Sequence, residues 1–570
     1  IFPEMYSDKP TVNILTSLMV DKGIRRVIVC PGSRNIPLIH NFSECPYIDC
    51  YPVTDERSAG FYAIGMSLAT AEPVAICVTS GSAILNTAPA IAEAYYRCLP
   101  IVVISADRPI ERIDRLDGQT LRQNNILSNI VKQQTDIPEF TSDDNIGLDF
   151  SSLSMNIALN ECIGGECGPV HINMQLKEPL FNFSTNSLPT NKNITSLKYE
   201  GNEVNAQCEF LIERFLLSKN RIIVIGQISE HEKELDEVIK CLKKYFLVLC
   251  EPLSTSYADP FDKAIPPMAD ELKMEKIDMV ISLGGNFVSK KIKEMLRNTD
   301  ICEHWEINKS GRPHDIFEHQ TGIAMSSEIK FLSALLKRTR NNHIHPDNLK
   351  KLLTPYISKA LNMIEGFTPS YSQYMAVREL ELSLEDVDYD FVMHYANSMA
   401  VRLGCLCFSK RYIYCNRGIN GIEGSISTAA GFSLATNTMV FCVTGDLSFF
   451  YDQNALWNSR LNGNLRIMLL NNGGGSIFYR LNGLDTSDMS MSYISGKHHT
   501  DARGICEQND IGYLAAHNTE EYHNALVRFL TEQTKRPMVM EVFTDYKSDN
   551  LVLDQLDEQF NKNLKTINHE

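Results

Sequence analysis

The sequence repeats one local pattern along most of its length. A short run of β-branched and other apolar residues is followed by a turn rich in glycine or serine, and then by a helical spacing of apolar residues. This order is typical of parallel βα units, in which a crossover helix follows each strand. The pattern therefore predicts an α/β fold with parallel sheets. The predicted strands are residues 26–30, 74–78, 101–104 and 170–173, then 222–226, 247–250 and 279–285, and finally 412–415, 439–443, 467–470 and 538–542.

The chain is long enough for several domains. It has 570 residues, and a domain takes ~150 residues on average. Polar stretches at residues 182–193 and 338–347 separate three groups of predicted strands and are candidate linkers. We therefore predict three α/β domains, at residues 1–185, 195–345 and 370–570.

Composition argues against two kinds of partner. With 54 basic and 70 acidic residues the net charge is −16, so no overall positive field is present to bind the phosphates of a nucleic acid. No stretch approaches the ~18 continuous apolar residues of a membrane-spanning helix. The sixteen cysteines are scattered, many within apolar runs, and the first residues lack the basic and apolar parts of a secretory signal. We expect reduced thiols, a cytoplasmic location, no nucleic-acid partner and no membrane span.

Three predicted strands are followed closely by an arginine, namely Arg34, Arg108 and Arg417. In open parallel sheets, ligands bind beyond the carboxyl ends of the strands. One such arginine could simply pair with a surface carboxylate. Three together favour a ligand, because an acidic protein that binds a small anion needs locally arranged guanidinium groups, which bind carboxylates in a bidentate manner. The sequence therefore predicts a small ligand with several carboxylates.

A second constellation lies in the last third of the chain. Asp446 follows one predicted strand, and Asn472 and Gly474 follow the next. Carboxylate, amide and carbonyl oxygens suit a hard cation, and a glycine permits the bent backbone that presents a carbonyl. A helical run predicted at residues 451–460, starting near Phe450, would direct its first N–H groups towards phosphate oxygens. This arrangement predicts a binding site for a diphosphate that a metal ion bridges to the protein.

This arrangement resembles the diphosphate motif of thiamin-diphosphate-dependent enzymes. The segment 54–60, which contains Glu56, resembles the site where a glutamate of these enzymes contacts the aminopyrimidine. More narrowly, the chain is similar to the family of 2-succinyl-5-enolpyruvyl-6-hydroxy-3-cyclohexene-1-carboxylate (SEPHCHC) synthases, and in its middle third only loosely, through residues 251–254 and 289–291. The segments that carry the resemblance are 31–34, 54–60, 79–82, 105–109, 168–171, 177–180, 397–399, 416–424 and 445–448.

The resemblance implies a fold, an activity and an assembly. Its architecture is that of thiamin-diphosphate-dependent decarboxylases and synthases, with a pyrimidine-binding domain at 1–185, a central domain at 195–345 and a diphosphate-binding domain at 370–570. The family decarboxylates 2-oxoglutarate on thiamin diphosphate with Mg²⁺, or with Mn²⁺ in its place, in menaquinone biosynthesis. It adds the resulting succinyl-semialdehyde carbanion to isochorismate in a 1,4-addition, which makes it a transferase. Its sites are shared between subunits, so the resemblance implies a homodimer or homotetramer.

The resemblance also assigns residue roles. Asp446, Asn472 and the Gly474 carbonyl would bind the metal ion; Glu56 would hydrogen-bond the pyrimidine N1′ and so promote loss of the thiazolium C2 proton; and Ile422 would be the apolar wedge that bends the cofactor. The resemblance assigns Arg402 and Arg417 to binding the end of the reacting molecule that derives from 2-oxoglutarate. Other cofactor contacts would come from Thr79, Asn397, Ser398, Met399, Gly445, Leu447 and Ser448, and other substrate contacts from Ser33, Arg34, Arg108, Gln119 and Ser398.

Two pairs of residues keep alternative interpretations. Lys290 and Lys291 either close the site from the middle domain or form a solvated helix start. The pair at residues 498–499, two histidines, is either an acid–base pair or a loop near the entrance. The loop is favoured, because decarboxylases of the pyruvate type carry their histidine pair in the first domain, and no histidine lies between His40 and His171 here.

Two rival functions remain open. Another thiamin-diphosphate carboligase, or a 2-oxo-acid decarboxylase, would need pockets for small apolar groups rather than several arginines. A non-catalytic nucleotide-binding protein on the same α/β domains is hinted at by the glycine turn at 282–286, which is a weak signal alone. Such a protein has no use for an activating glutamate such as Glu56.

Overall fold

The computed structural model describes residues 5–196, 205–229, 231, 233–407, 410–481, 483–484 and 487–564. Three large sheets with flanking helices follow one another along these residues. The predicted α/β fold with parallel sheets is therefore confirmed.

The first sheet has six strands in the order β3-β2-β4-β5-β7-β6, and its neighbouring strands are parallel. Its central strands β4 (Val74–Val78) and β5 (Ile101–Asp107) are buried along their whole length, as expected for a parallel sheet covered on both faces. The remaining elements are β1 (Tyr6–Ser7), α1 (Pro10–Asp21), β2 (Arg26–Val29), α2 (Ile36–Glu44), β3 (Asp49–Pro52), α3 (Glu56–Thr70), α4 (Ser82–Asn86), α5 (Ala88–Tyr96), β6 (Gln133–Ile137), α6 (Asn145–Ile163), β7 (Val170–Gln175) and β8 (Phe183–Thr185).

The second sheet has five parallel strands in the order β10-β9-β11-β12-β13. Its strand β9 (Arg221–Ile225) is fully buried. The other elements of this region are α7 (Ala206–Leu217), α8 (Lys233–Leu242), β10 (Leu247–Cys250), α9 (Phe261–Leu272), β11 (Ile277–Leu283), α10 (Lys290–Arg297), β12 (Ile301–Asn308), β13 (Gln320–Met325), α11 (Glu328–Asn341) and α12 (Asn348–Gly366).

The third sheet has six strands in the order β15-β14-β16-β17-β19-β18. The pairs β14–β15, β14–β16, β17–β19 and β18–β19 are parallel. The elements are α13 (Gln373–Ser383), β14 (Phe391–Tyr395), α14 (Met399–Leu406), β15 (Ile413–Tyr414), α15 (Ser425–Leu434), β16 (Met439–Gly445), α16 (Asp446–Tyr451), β17 (Leu465–Asn471), α17 (Asp488–Ile494), α18 (Arg503–Gln508), β18 (Gly512–Ala516), α19 (Thr519–Thr531), β19 (Met538–Phe543) and α20 (Tyr546–Leu564).

The chain divides into two compact units, and each takes residues from distant parts of the sequence. The predicted partition into three domains is a finer statement and stays a prediction. The first unit is Ile1–Tyr199, Gly418–Thr438 and Asp452–Leu465, and the second is Glu200–Arg417, Met439–Tyr451 and Arg466–Glu570.

Two helices of the first unit, α3 and α15, pack backbone against backbone. A Cβ atom at Gly65 would lie 1.9 Å from the Thr428 carbonyl oxygen, and one at Gly431 would lie 2.1 Å from the Tyr62 carbonyl oxygen. Glycine is therefore required at both positions for the helices to approach this closely. Tyr62 also donates a hydrogen bond of 2.6 Å to the Ala455 carbonyl, which ties the third segment of the unit to α3.

All sixteen cysteines are free thiols. Within the described ranges, no helix combines the length and the apolar composition needed to cross a membrane.

Candidate active site

Asp446 lies where β16 ends and α16 begins, and its side chain is buried. Three backbone N–H groups donate to its carboxylate: Leu447 at 2.6 Å, Gly474 at 2.9 Å and Asn472 at 3.2 Å. Burial raises the pKa of Asp446 above its usual value, although these three hydrogen bonds oppose the rise. The structure thus brings the three predicted metal ligands together at two strand exits.

The amide of Asn472 is oriented by a residue that the sequence did not indicate. Its Nδ2 donates a hydrogen bond of 2.9 Å to Asp549 at the start of α20, so Oδ1 faces away from that carboxylate. Asp549 is buried and also accepts hydrogen bonds of 2.9 Å from the Thr544 hydroxyl and the Gln373 N–H. Burial raises the pKa of Asp549 to about 6.

The backbone after Asn472 takes a conformation that favours glycine. Gly473 has φ +77° and Gly474 has φ +148°. A Cβ atom at Gly473 or Gly474 would lie 3.0 Å from the carbonyl oxygen of His498 or of Ser495, respectively. A side chain at either position would therefore require these carbonyl groups to shift, in addition to the unfavourable φ.

One of the two tandem histidines lies at this corner. His498 Nε2 is 3.3 Å from Oδ2 of Asp446, and its Nδ1 accepts a hydrogen bond of 3.1 Å from the Thr500 N–H. The ring also packs edge-on against Phe450, at 5.3 Å between centroids. Because Nδ1 accepts, the proton of the neutral ring is on Nε2, facing Asp446. The neighbouring His499 is exposed.

The predicted helical run at residues 451–460 is wrong. The helix begins at Asp446 and ends at Tyr451, and a 3₁₀ turn follows at Gln453–Ala455. The chain leaves the helix at Asp452, whose buried carboxylate accepts hydrogen bonds of 2.7 Å from both the N–H and the hydroxyl of Ser427 in α15. This tertiary contact outweighs the local helical pattern.

Glu56 is the first residue of α3. The helix begins there because Asp55 caps it, accepting hydrogen bonds from the N–H groups of Arg57 and Ser58. Asn86 donates a hydrogen bond of 3.0 Å to Glu56 Oε2. The Glu56 side chain is half-buried, so it is held in place and still accessible.

Thr79 follows β4 and is buried. Its hydroxyl has no hydrogen-bond partner in the described part of the chain. The side chain packs directly on Gly32, where a Cβ atom would lie 2.3 Å from the Thr79 Cβ. A buried hydroxyl without a partner at a strand exit is consistent with the predicted role in binding a ligand.

The predicted arginines of the first unit lie close enough to interact. Arg34 is buried and donates hydrogen bonds of 2.9 Å to the Leu176 carbonyl and to Glu178. Burial lowers the pKa of Arg34, and the positive charge of Arg108 lowers it further. Arg108 itself donates to the Gly118 carbonyl at 2.9 Å. Ser33 and Gln119 are exposed.

A buried polar network supports this edge of the first sheet. Ser105 hydrogen-bonds His171 Nε2 and donates to Asn173 Oδ1, both at 2.7 Å. Asn173 donates to Asp107 at 2.9 Å, and Asp107 accepts the Arg108 N–H at 2.7 Å. Burial raises the pKa of Asp107 to about 6 and lowers the pKa of His171 to about 3.

In the second unit, Arg417 and Arg402 both donate to the loop at residues 286–289, between β11 and α10. Arg417 Nη2 lies 2.8 Å from the Phe287 carbonyl, and Arg402 Nη1 lies 3.4 Å from the Val288 carbonyl. Arg417 Nη1 donates to Asn397 Oδ1 at 3.1 Å. Arg417, which follows β15, and Arg402, in α14, therefore present their guanidinium groups to one loop.

The remaining predicted residues lie at the same strand exits. Ser398 immediately precedes α14 with φ +70°, and Met399 is the first helical residue. Gly445 and Leu447 flank Asp446, and Ser448 is buried in α16. Ile422 is 37% exposed.

Two family models match this chain. One, described as the thiamine pyrophosphate enzyme N-terminal TPP binding domain, covers residues 11–134. The other, described as the thiamine pyrophosphate enzyme C-terminal TPP binding domain, covers residues 397–542. Together they contain all of the predicted cofactor-binding positions.

Curated relatives match almost the whole chain. A protein from Phocaeicola vulgatus is 37% identical over 559 residues, which are 96% of this chain and 98% of the relative. A protein from Bacteroides fragilis is 38% identical over 565 residues, with the same two coverages. One from Christiangramia forsetii is 33% identical over 580 residues, again with these coverages. Each is named 2-succinyl-5-enolpyruvyl-6-hydroxy-3-cyclohexene-1-carboxylate synthase.

The chain belongs to the SEPHCHC synthase family. The predicted family is confirmed, and with it the thiamin diphosphate cofactor.

Asp446, Asn472 and Gly474 together form what we call the Asp446 corner. These residues fit the cofactor of a SEPHCHC synthase. In the described part of the chain, no three His, Cys, Asp or Glu side chains are grouped so as to hold a metal ion. A site at this corner would therefore use one carboxylate, the Asn472 amide and the Gly474 carbonyl. Oxygen ligands of these three kinds suit Mg²⁺ bound together with a phosphate.

The predicted site residues of the synthase are divided between the two units. Glu56, Thr79, Ser33, Arg34, Arg108, Gln119 and Ile422 belong to the first unit, and Asn397, Ser398, Met399, Arg402, Arg417, Gly445, Asp446, Leu447, Ser448, Asn472 and Gly474 to the second.

A third lysine of α10, which the sequence analysis did not single out, interacts with the charge of Arg417. Lys290 and Lys291 are exposed, and Lys291 lies 3.5 Å from Asp262. Lys293 is half-buried, and burial and then the charge of Arg417 lower its pKa. The helical spacing of α10 could have indicated Lys293, because it lies about one turn after Lys290.

Proposed function

We propose that the protein is a SEPHCHC synthase that uses thiamin diphosphate and Mg²⁺ to decarboxylate 2-oxoglutarate and to join the remaining four-carbon unit to isochorismate. The observation that carries the proposal is the Asp446 corner, formed at two strand exits inside the match to the C-terminal TPP binding domain. The named synthases match this chain over 96% of its length. The reaction belongs to the transferase class and to menaquinone biosynthesis.

The residues of the corner would hold the metal ion and the diphosphate. Asp446, Asn472 and the Gly474 carbonyl are the proposed ligands, for Mg²⁺ or for Mn²⁺ in its place. Asp549 would keep the Asn472 amide oxygen directed to the ion, because it accepts the amide N–H on the other side. Gly445, Leu447 and Ser448 would line the diphosphate.

Glu56 is proposed to hold a proton at N1′ of the pyrimidine. Asn86 fixes its carboxylate, and Thr79 offers a buried hydroxyl at the exit of β4. When bound, thiamin diphosphate supplies a carbon nucleophile and an electron sink for the loss of CO₂. The protein's own part is to hold the reactants in contact and to exclude water, with Ile422 as the proposed apolar wedge.

The arginines are proposed to bind the carboxylates of the substrates. Both 2-oxoglutarate and isochorismate carry two carboxylates, and guanidinium groups bind carboxylates in a bidentate manner. Arg402 and Arg417 are assigned to the 2-oxoglutarate end, with Asn397, Ser398 and Met399 beside them. The other substrate contacts are assigned to Ser33, Arg34, Arg108 and Gln119.

We further propose a homodimer or homotetramer with shared sites, and a cytoplasmic location. Sixteen free thiols support a reducing compartment. The assembly can be tested by mixing Glu56→Gln and Asp446→Ala proteins under conditions of subunit exchange. If each site combines residues of two subunits, the mixture regains part of the activity that both parents lack. No recovery, with exchange verified by mass, would contradict shared sites.

The function is tested by mass-spectrometric analysis of products from the pure protein with thiamin diphosphate, Mg²⁺ and 2-oxoglutarate, with and without isochorismate. An adduct that forms only with isochorismate supports the synthase. Release of CO₂ without an adduct would point to another carboligase or to a decarboxylase. No turnover of any kind would favour a non-catalytic binding protein.

A further inference from the structure

Glu251, directly after β10, is a buried carboxylate with two backbone donors. Only 4% of its surface is exposed. Its Oε2 accepts the Val288 N–H and its Oε1 accepts the Ser289 N–H, both at 2.7 Å. Hydrogen bonds to an ionised acceptor are stronger than those between neutral groups. Glu251 therefore fixes the backbone of the loop 286–289 at two successive residues.

The same loop contacts Arg417 and Arg402 on its carbonyl side. Its Phe287 and Val288 carbonyls accept from the two guanidinium groups, as described above. In addition, Asn286 Nδ2 donates a hydrogen bond of 2.9 Å to the Arg417 carbonyl. The loop thus joins a carboxylate beneath its N–H groups to two arginines at its carbonyls.

The charges around Glu251 are mostly positive. Burial raises the pKa of Glu251 to about 7, Asp262 adds to the rise, and the two N–H donors and Arg417 oppose it. Burial and then the charge of Arg417 also lower the pKa of Arg402. With Lys293, and with Lys291 beside Asp262, four cations share this region with two carboxylates, so the region retains a positive charge for an anionic ligand.

We propose that Glu251 is a positioning residue for 2-oxoglutarate: by fixing the loop 286–289 it holds Arg417 and Arg402 in the orientation that binds a substrate carboxylate. This inference rests on the proposed function. It makes recognition of the dicarboxylic acid depend on a residue of the middle sheet that contacts neither substrate nor cofactor.

The variant Glu251→Gln separates this role from simple space-filling. Glutamine has the same size, but its NH₂ group faces one of the two N–H donors instead of accepting from it. The loop then loses one charge-assisted hydrogen bond and the arginines lose their fixed support. We expect KM for 2-oxoglutarate to rise roughly tenfold. We expect kcat, KM for isochorismate and the half-saturating thiamin diphosphate concentration to change less than about twofold.

Two further variants make the result specific. Glu306→Gln is the matched control, because Glu306 is a buried glutamate of the same sheet that pairs with His314 instead; its KM for 2-oxoglutarate should stay near that of the unmodified protein. In the background of Arg417→Lys, the effect of Glu251→Gln should shrink, since both act through one guanidinium group.

The outcomes separate the inference from the function. If the unmodified protein forms no adduct, the proposed function fails and the inference with it. If it does, and Glu251→Gln leaves KM for 2-oxoglutarate unchanged or raises the cofactor requirement equally, the inference alone is overturned. If Glu251→Gln does not fold, Asn286→Ala, which removes the same loop's bond to Arg417, takes its place. An unchanged KM for 2-oxoglutarate in that variant also overturns the inference.

Discussion

Asp446 and Arg417 both lie at strand exits of the second unit, but the two regions around them are held in different ways. The first region is the Asp446 corner, and we call the second the Arg417 cluster, formed by Arg417, Arg402 and the loop 286–289. Asp446 is held by N–H groups from residues within or next to its own motif. Arg417 is held by the loop 286–289, and that loop is held by Glu251 from a different strand. A site built from its own motif can be recognised in a sequence, whereas a site supported from distant elements cannot.

The largest expected effect comes from removing the carboxylate of the corner. Asp446→Ala should lower kcat/KM by at least about a thousandfold, because Asp446 is the one carboxylate among the three proposed metal ligands. Chelation with EDTA should have the same effect on the unmodified protein, and Mg²⁺ or Mn²⁺ should reverse it. The measurements are steady-state kinetics and calorimetric titration with thiamin diphosphate. Asp386→Asn, at an exposed position, is the control. Full activity of Asp446→Ala would rule out the proposed metal site.

Removing the Arg417 guanidinium group should weaken binding of the substrate and leave binding of the cofactor unchanged. Arg417→Ala is expected to raise KM for 2-oxoglutarate by about a hundredfold, through loss of a bidentate, charged contact. Thiamin diphosphate affinity should remain the same. Arg340→Ala, on the exposed end of α11, should change neither quantity. Equal losses in cofactor and substrate binding would remove the distinction between the two regions.

Asp549 contacts a proposed metal ligand, Asn472, so a variant at Asp549 tests indirect support of the metal site. Asp549→Asn should raise the half-saturating Mg²⁺ concentration about tenfold, because asparagine keeps only one acceptor oxygen where Asp549 accepts from Asn472, Thr544 and Gln373 with two. The Asn472 amide is then no longer held in one orientation. KM for 2-oxoglutarate should stay constant at saturating cofactor. Glu251→Gln should give the reverse pattern, so the two variants test each other. An effect of Asp549→Asn on 2-oxoglutarate alone would contradict the proposed orientation of Asn472.

The smallest expected effect concerns stability at the first sheet's exits, where His171 belongs to the network beneath Arg108. Burial lowers the pKa of His171 from 6.5 to about 3. Between these values the unfolded chain binds a proton that the folded protein does not, so stability is lost as the pH falls. The slope approaches about 1.4 kcal/mol per pH unit. Thermal unfolding at pH 5 to 8 should therefore be less dependent on pH in His171→Gln than in the unmodified protein. The exposed His343→Gln is the control, and equal slopes in all three proteins would contradict the assignment.

The sequence predicted correctly those elements that have a regular pattern of buried residues or a known motif. Central strands such as β4 and β9 were predicted because residues buried on both faces of a parallel sheet form continuous apolar runs. The polar β6 and the charged β12 were missed for the same reason, since Gln133–Ile137 and Ile301–Asn308 lack such a run. The helix at 451–460 was wrong because Asp452 binds Ser427, a partner that local periodicity does not reveal.

The candidate site shows the same limit. The spacing of Asp446, Asn472 and Gly474 predicted residues that do lie together. Glu251 and Asp549 were not predicted as supports, because a single buried carboxylate carries no signature of what it binds. His498 was assigned to a loop near the entrance, which stays a prediction. Its distance of 3.3 Å from Asp446 was not foreseen, because the conformation of the loop determines that distance.

The packing of α3 on α15 also has a consequence for how the protein is made. Gly65 emerges from the ribosome long before Gly431, the glycine on the helix that covers it. At synthesis rates of about 5 to 20 residues per second, the gap between them is roughly 20 to 70 seconds. During that interval the Gly65 face of α3 lacks its partner helix α15, whereas α5, which packs on Gly60, has already been synthesised. The first unit closes only when about four-fifths of the chain has been synthesised.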